Sequence, residues 1–398
     1  MKYTLRSASE LIPLLKLKSH SRTASVAERS CAALPLRAFL VCVLFVVMFA
    51  TPHSSQAVDE TITIGVLTSI SDEWAVMGTA TVRGVELAIA EVNGRGGVHG
   101  RKLQLLVEDT REAHSGGHAV TAYRSLRQRN VKWLIGPAGT GAAIALAPIA
   151  AADQVIVISP TIGVSEFSSA GANIFNVRGV DRHATEYMAR EAFKAGWRRV
   201  AVLASQQPWD TAQGEAFASE FTRLGGVVVS RESPLSDAND FQTMLVRALA
   251  TKPDGMFLSH FSRIGVIGKQ LKRLGYTGPK FSTLLDPAAV ESASGSLDGT
   301  EFANFAGPRG SFISTFQATY NVEPGLGSDT AYDAVLALAK ALDESEDEGV
   351  ATVSKKLSTV SFDGAAGVVT FDRDRIAVRQ VKRFIVRHGR IEESRPAE

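Results

Sequence analysis

Short apolar runs and amphipathic stretches take turns along this chain, and midway the alternation begins afresh. "TITIGVL" (61–67), "LQLLVEDT" (103–110), "VKWLI" (131–135) and "VIVIS" (155–159) read as strands, with helices expected at Gly117–Arg129 and Gly141–Ala152. After the first strand, Val82, Val85, Ile89 and Val92 form one helical stripe that "NGRGG" ends. Strands apolar along their whole length and separated by helices belong in a parallel sheet buried on both faces. The first lobe is therefore expected to be α/β.

"NIFNVRGVD" (Asn173–Asp181) separates the two series. Beyond it, helices His183–Ala195, Trp209–Leu224, Phe241–Leu249 and Gly265–Leu274 alternate with "RRVAVLAS", "GVVVS", "DGMFLS" and "KFSTLL". Then follow "GTEFANF", helices Ser311–Asn321, Ser328–Leu342 and Val350–Leu357, and the closing runs "VVTFD" and "VRQVKRFIVR". A chain of 398 residues exceeds what one core ordinarily holds. The expectation is two doubly wound parallel-sheet lobes.

The N-terminus points to export. Arg22, Arg29 and Arg37 precede "AFLVCVLFVVMFA" (Ala38–Ala50), a run too short to span a bilayer comfortably and of signal-peptide length. Ser55 and Ala57 suit cleavage, so residues 1–57 are expected to be removed. Cys31 and Cys42 both fall there, leaving a mature chain without disulfide or thiol chemistry. The same segment holds seven of the 43 Lys/Arg and two of the 41 Asp/Glu, so the net charge of +2 becomes −3 (36 against 39). That mildly acidic balance is no match for nucleic acid.

The loop "WLIGPAGTG" (Trp133–Gly141) invites a phosphate reading and fails it. Gly136 and Gly141 have P-loop spacing, but Ala142 and Ala143 stand where Lys and Ser/Thr would meet phosphate and metal. Gly139 and Gly141 begin a dinucleotide fingerprint, yet Ile144 takes the third small position and Ser159 the place of the ribose-binding acid. What is left is a set of N–H groups opening a helix, suited to some other anion. No cofactor is expected. His114 and His118 have zinc-like spacing, but Gly116 and Gly117 intervene and no third ligand is evident. The acidic run Asp343–Glu348 reads as a solvated loop. Without a G-x-S-x-G elbow or other catalytic spacing, the chain is not read as an enzyme.

"IGVLTSISDEWAVMGTATVRGVELAIAEVNGRGGVHGRKLQLLVEDT" (64–110), followed in order by "IGPAGTGAA", "VISPTIGVSEF", "NVRGVD" and "AYDAV", resembles the branched-chain amino-acid-binding proteins, the type I periplasmic solute-binding proteins of ABC importers. The resemblance covers most of the chain after residue 57. It implies two α/β lobes joined by three hinge crossings, with ligand in the cleft between them. Crossings near 178–181, 299–305 and 368–371 give lobe one 58–178 plus 305–368 and lobe two 181–299 plus 371–398. It further implies a periplasmic monomer that binds an amino acid with an apolar or branched side chain and serves an ABC-type permease.

Ligands of parallel sheets sit beyond the carboxyl ends of the strands. Ser71, Gly139 to Gly141 and Thr161 to Gly163 lie in such loops, and their hydroxyls and amides suit a carboxylate. By resemblance, Thr140 holds that carboxylate while Thr161 and Gly163 bracket the amino-acid group, with Gly163 lacking the hydroxyl that leucine-binding relatives carry. Asp286 is expected to bind the ammonium, although Asp before Pro287 is also a good helix N-cap. Trp209, Asp210 and His260, with Phe261 beside it, are the remaining expected contacts from lobe two. Trp209 reads equally as the opener of its helix, and Trp74 as a cleft cap or a surface residue. The alternative ligand is an aromatic or other organic acid without an ammonium, with Arg263 or His260 in the role of Asp286.

Overall fold

A computed structural model describes residues 61–113 and 116–394. The expected signal peptide, with Cys31 and Cys42, and His114 of the zinc reading lie outside the described residues. Five strands form the first sheet: β1 (Thr61–Thr68), β2 (Lys102–Asp109), β3 (Trp133–Ile135), β4 (Ile156–Ser159) and β5 (Ile174–Asn176). They are parallel throughout, in the order β2-β1-β3-β4-β5.

Alternation along β1 sends side chains to both faces. Ile62, Ile64 and Val66 pack with Val85, Ile89 and Val92 of helix Ala75–Gly94 and with Val335 and Leu338 of helix Ser328–Asp343. Leu67 joins Leu126, Leu134 and Leu146 on the other face. Each such aliphatic, fully buried, contributes about 1.5–3 kcal/mol, which fixes the register of the sheet and so the position of its loops.

Seven strands form the second sheet: β6 (Arg199–Ala204), β7 (Val227–Glu232), β8 (Gly255–Ser259), β9 (Lys280–Ser282), β10 (Thr300–Phe305), then β13 (Val381–Arg387) and β14 (Arg390–Glu393). Their order is β14-β13-β10-β9-β8-β6-β7. Here too one strand feeds two cores, Met256 and Leu258 on one side and Phe257 on the other. The sheet is mixed, since β13 runs antiparallel to β10 and β14 to β13. His388 and Gly389, both at positive φ (51° and 69°), make the two-residue turn that returns the chain.

Between these segments lies a separate hairpin, β11 (Ser361–Gly364) with β12 (Gly367–Thr370), which takes up most of the run expected as a closing strand. The chain thus passes between the two sheets after β5, after β10 and between β12 and β13. The run expected as strand Lys280–Leu285 ends at Ser282, and Leu284 beyond it faces the cleft. No described helix is long and apolar enough to cross a membrane.

Candidate ligand-binding cleft

The carboxyl ends of both sheets face a cavity of about 40 Å³ lined by Gly139, Thr140 and Thr161 from one side and Trp209, Phe261 and Leu284 from the other. Trp74, Met77, Leu326, Arg178 and Asp181 complete most of the wall. Four of the nine residues expected from sequence meet there: Gly139, Thr140, Thr161 and Trp209.

Helix Thr140–Ala152 opens at the cleft, with Gly139 as its N-cap. The first intrahelical bond of this end is Ala143 N–H to the Gly139 carbonyl, 2.9 Å, so the amides before it point outward from the helix start. A Cβ on Gly139 would come within 2.6 Å of the Trp74 ring, so glycine is what lets the indole lie on this backbone. The hydroxyl of Thr161 donates to the Ala138 carbonyl at 2.9 Å. With its proton committed, that oxygen can only accept from a ligand.

Directly behind the loop stands a residue that the sequence reading missed. Glu112, 4% exposed, accepts from the Ala138 N–H (3.0 Å), the Gly139 N–H (2.9 Å) and the Thr110 hydroxyl (2.8 Å). Burial raises its carboxyl and these hydrogen bonds offset part of that rise, leaving it at about 7. Glu112 therefore occupies two amides of the very loop that was expected to serve a ligand, leaving the task to the amides from Thr140 onward.

Arg178 and Asp181 are the second omission. Arg178 Nη2 and Nε reach Asp181 Oδ1 at 2.7 and 3.0 Å, Nη2 also meets Asn304 Oδ1 at 3.0 Å, and Trp209 Nε1 donates to Asp181 Oδ2 at 2.7 Å. Both members of this ion pair are buried. The Asp181 carboxylate fills the place where a side chain at Gly163 would go, because a Cβ there would sit 1.7 Å from Oδ2. The missing hydroxyl at Gly163 thus has a physical cause. "NVRGVD" carried the signal as two charges flanking an expected hinge.

The other expected residues stand elsewhere. Asp286 caps helix Pro287–Ser292, accepting from the Ala288 and Ala289 N–H groups at 2.8 and 3.3 Å, and Leu284 rather than Asp286 lines the cleft. Asp210 lies beneath the wall, bound to the Ser205 hydroxyl and the Phe261 N–H; burial pushes it up to about 6. His260 packs edge-on against Phe241, and burial lowers it to about 4, which makes it neutral. Ser71 donates to Asp109 on the exposed side of its loop. Arg263, proposed for the alternative ligand, pairs with Glu73 across the cleft at 2.8 Å.

The two sides also touch through aromatics. Trp74 Nε1 donates to the Ser262 hydroxyl at 3.0 Å, and the Phe261 ring stands edge-on to both Trp74 (5.8 Å) and Trp209 (6.1 Å). Trp74, placed by sequence either on the cleft or on the surface, is buried in the cleft wall. Among the described residues no group of three or more His, Cys, Asp and Glu is placed to hold a metal ion.

The profile of the periplasmic binding protein family matches residues 61–386. The chain belongs to that family. A Leu/Ile/Val-binding protein of Rhizobium johnstonii is 24% identical over 217 residues, 54% of this chain and 58% of that one, so this chain matches less than two thirds of that relative. Among solved structures, a leucine-binding protein of Thermotoga maritima superposes with a TM-score of 0.78 at 24% identity, covering 84% of this chain and 98% of that one. A solute-binding protein of an ABC transporter from R. palustris, in complex with benzoate, gives 0.75 at 19% identity over 84% and 95%. The family's type I fold, two α/β lobes with three crossings, is the fold described above.

Proposed function

We propose that this protein is a periplasmic receptor that captures an amino acid with an apolar side chain between its lobes and presents it to an ABC-type permease, without catalysing a reaction. One observation carries the reading. The donor end of helix Thr140–Ala152 shares a small cavity with two acceptors, the Thr161 hydroxyl oxygen and the Asp181 carboxylate, amid aromatic and aliphatic walls. Donors for a carboxylate beside acceptors for an ammonium are what a zwitterion needs. Asp181 takes the role that the sequence reading gave to Asp286. The Leu/Ile/Val-binding relative and the leucine-binding structure support the ligand class.

A second reading, an aromatic or other organic acid, is favoured by the state of Asp181, whose charge is already matched by Arg178. The benzoate-bound structure supports that class. Titration calorimetry with leucine and its deaminated analogue isocaproate separates the two. Each charge-assisted bond is worth roughly 1.5–3 kcal/mol, so a recognised ammonium makes leucine bind about tenfold to a hundredfold tighter. Equal or reversed affinities select the organic-acid reading, and failure of both compounds, and of phenylalanine and benzoate, ends both.

A further inference from the structure

Behind the cleft, toward the crossings, lies a second cavity of about 260 Å³. It meets the first at Arg178, Leu284 and Leu326, which line both. Its remaining wall is largely apolar, including Leu285, Phe302, Phe305, Phe384 and Ile391. An apolar cavity of about 150 Å³ already accommodates benzene, so this one has room for a side chain larger than that of leucine, whereas the forward cavity of about 40 Å³ does not. One donor in the wall is unsatisfied. Arg379 gives Nε to the Val177 carbonyl (3.0 Å) and Nη2 to Asp333 (2.8 Å), but its buried Nη1 has no hydrogen-bond partner among the described residues.

We propose that the ligand is held in two parts, its charged head in the forward cavity and a bulky apolar body in the cavity at the crossings, so that the protein selects amino or organic acids larger than leucine. The inference rests on the cleft reading given above. Arg379 adds a detail to the ligand class. Its charge is met by the buried Asp333, and Asp329 lines the cavity, so a second carboxylate would face an acid and find no unmatched positive charge. The body therefore ends in an uncharged group.

The test fills the rear cavity and reads the effect by ligand size. A Cβ added at Gly307, which lines that cavity, would meet nothing within 4 Å, and half-buried Ile391 lines it from the sheet edge. Gly307→Leu and Ile391→Trp are checked for wild-type thermal unfolding. Calorimetry then follows two ladders, alanine, leucine and phenylalanine beside acetate, isocaproate and phenylbutyrate. In whichever ladder binds, wild type is expected to favour the largest member, and filling to weaken it about tenfold or more while changing the smallest binder less than about threefold. If small members bind but neither variant penalises the largest, or if both sizes lose equally, the rear cavity is not part of the site and only this inference falls. If no member of either ladder binds wild type, the cleft reading falls with it.

Discussion

Glu112 shows what a single side chain can do in this cleft. Its carboxyl, raised by burial from the ordinary glutamate value to about 7, stays largely protonated in the folded protein below that pH. A group raised in this way stabilises the fold fully below its unfolded value, and the contribution is lost as pH climbs through about 7. The full effect is roughly 3 kcal/mol. Glu112→Gln cannot ionise; its one carbonyl oxygen accepts from either the Ala138 or the Gly139 amide but not both, so a constant loss of stability accompanies the change of slope. Its unfolding free energy should fall less steeply than that of wild type between about pH 5 and about pH 8. Some slope should persist, since Asp210 and Asp333 are also raised by burial, each to about 6. Parallel pH profiles from denaturant titrations would show that Glu112 is not the titrating group. Neither Glu112 nor Asp181 was legible in sequence as a cleft residue. Glu112 acquires its role from amides 26 and 27 residues away, and Asp181 from the space left at Gly163. Gly139, Thr140 and Thr161 were legible because a loop that follows a parallel strand and opens a helix is a local pattern.

At the level of elements, the sequence reading was strongest where periodicity was long and weakest at short pieces. The stripe through Val82, Val85, Ile89 and Val92 lies in the core as expected. Strand β5 and the short β14 were not separated from their surroundings, because three or four residues carry too little periodicity. The Asp286–Pro287 pair had two readings, and the geometry favours the local one: Oδ1 accepts from the first amides of its own helix, and Asp286 is absent from the cleft lining. Asp286→Ala should therefore cost about 1 kcal/mol of stability, the usual value of a lost N-cap. Ligand affinity should stay within about twofold. A thermal melt and one calorimetric titration check both, and a tenfold loss of affinity with unchanged stability would return Asp286 to the site.

On the scale of the whole molecule, two covering lobes were readable from the restart of the alternation, but the contacts that join them were not. Trp74 to Ser262 spans 188 positions, and Glu73 to Arg263 a similar distance. Each side of that ion pair is about a quarter exposed, with side chains at 23% and 22%, so its worth is near the surface range of about 0.2–1 kcal/mol. Arg263→Ala should accordingly shift the lobe equilibrium toward open forms by up to about fivefold, seen as a larger radius in small-angle scattering or a lower interlobe energy transfer. No change in either would mean that the pair forms without favouring closure.

These bridges are made by the chain's own residues, and that has a bearing on the proposed transport role. A receptor able to fasten itself shut would offer a permease a docking face even when it carries no cargo. In that proposed role, idle engagement would set a floor under the pump's activity, and the strength of the Glu73 and Trp74 fastenings would decide how far above that floor a nutrient could raise uptake.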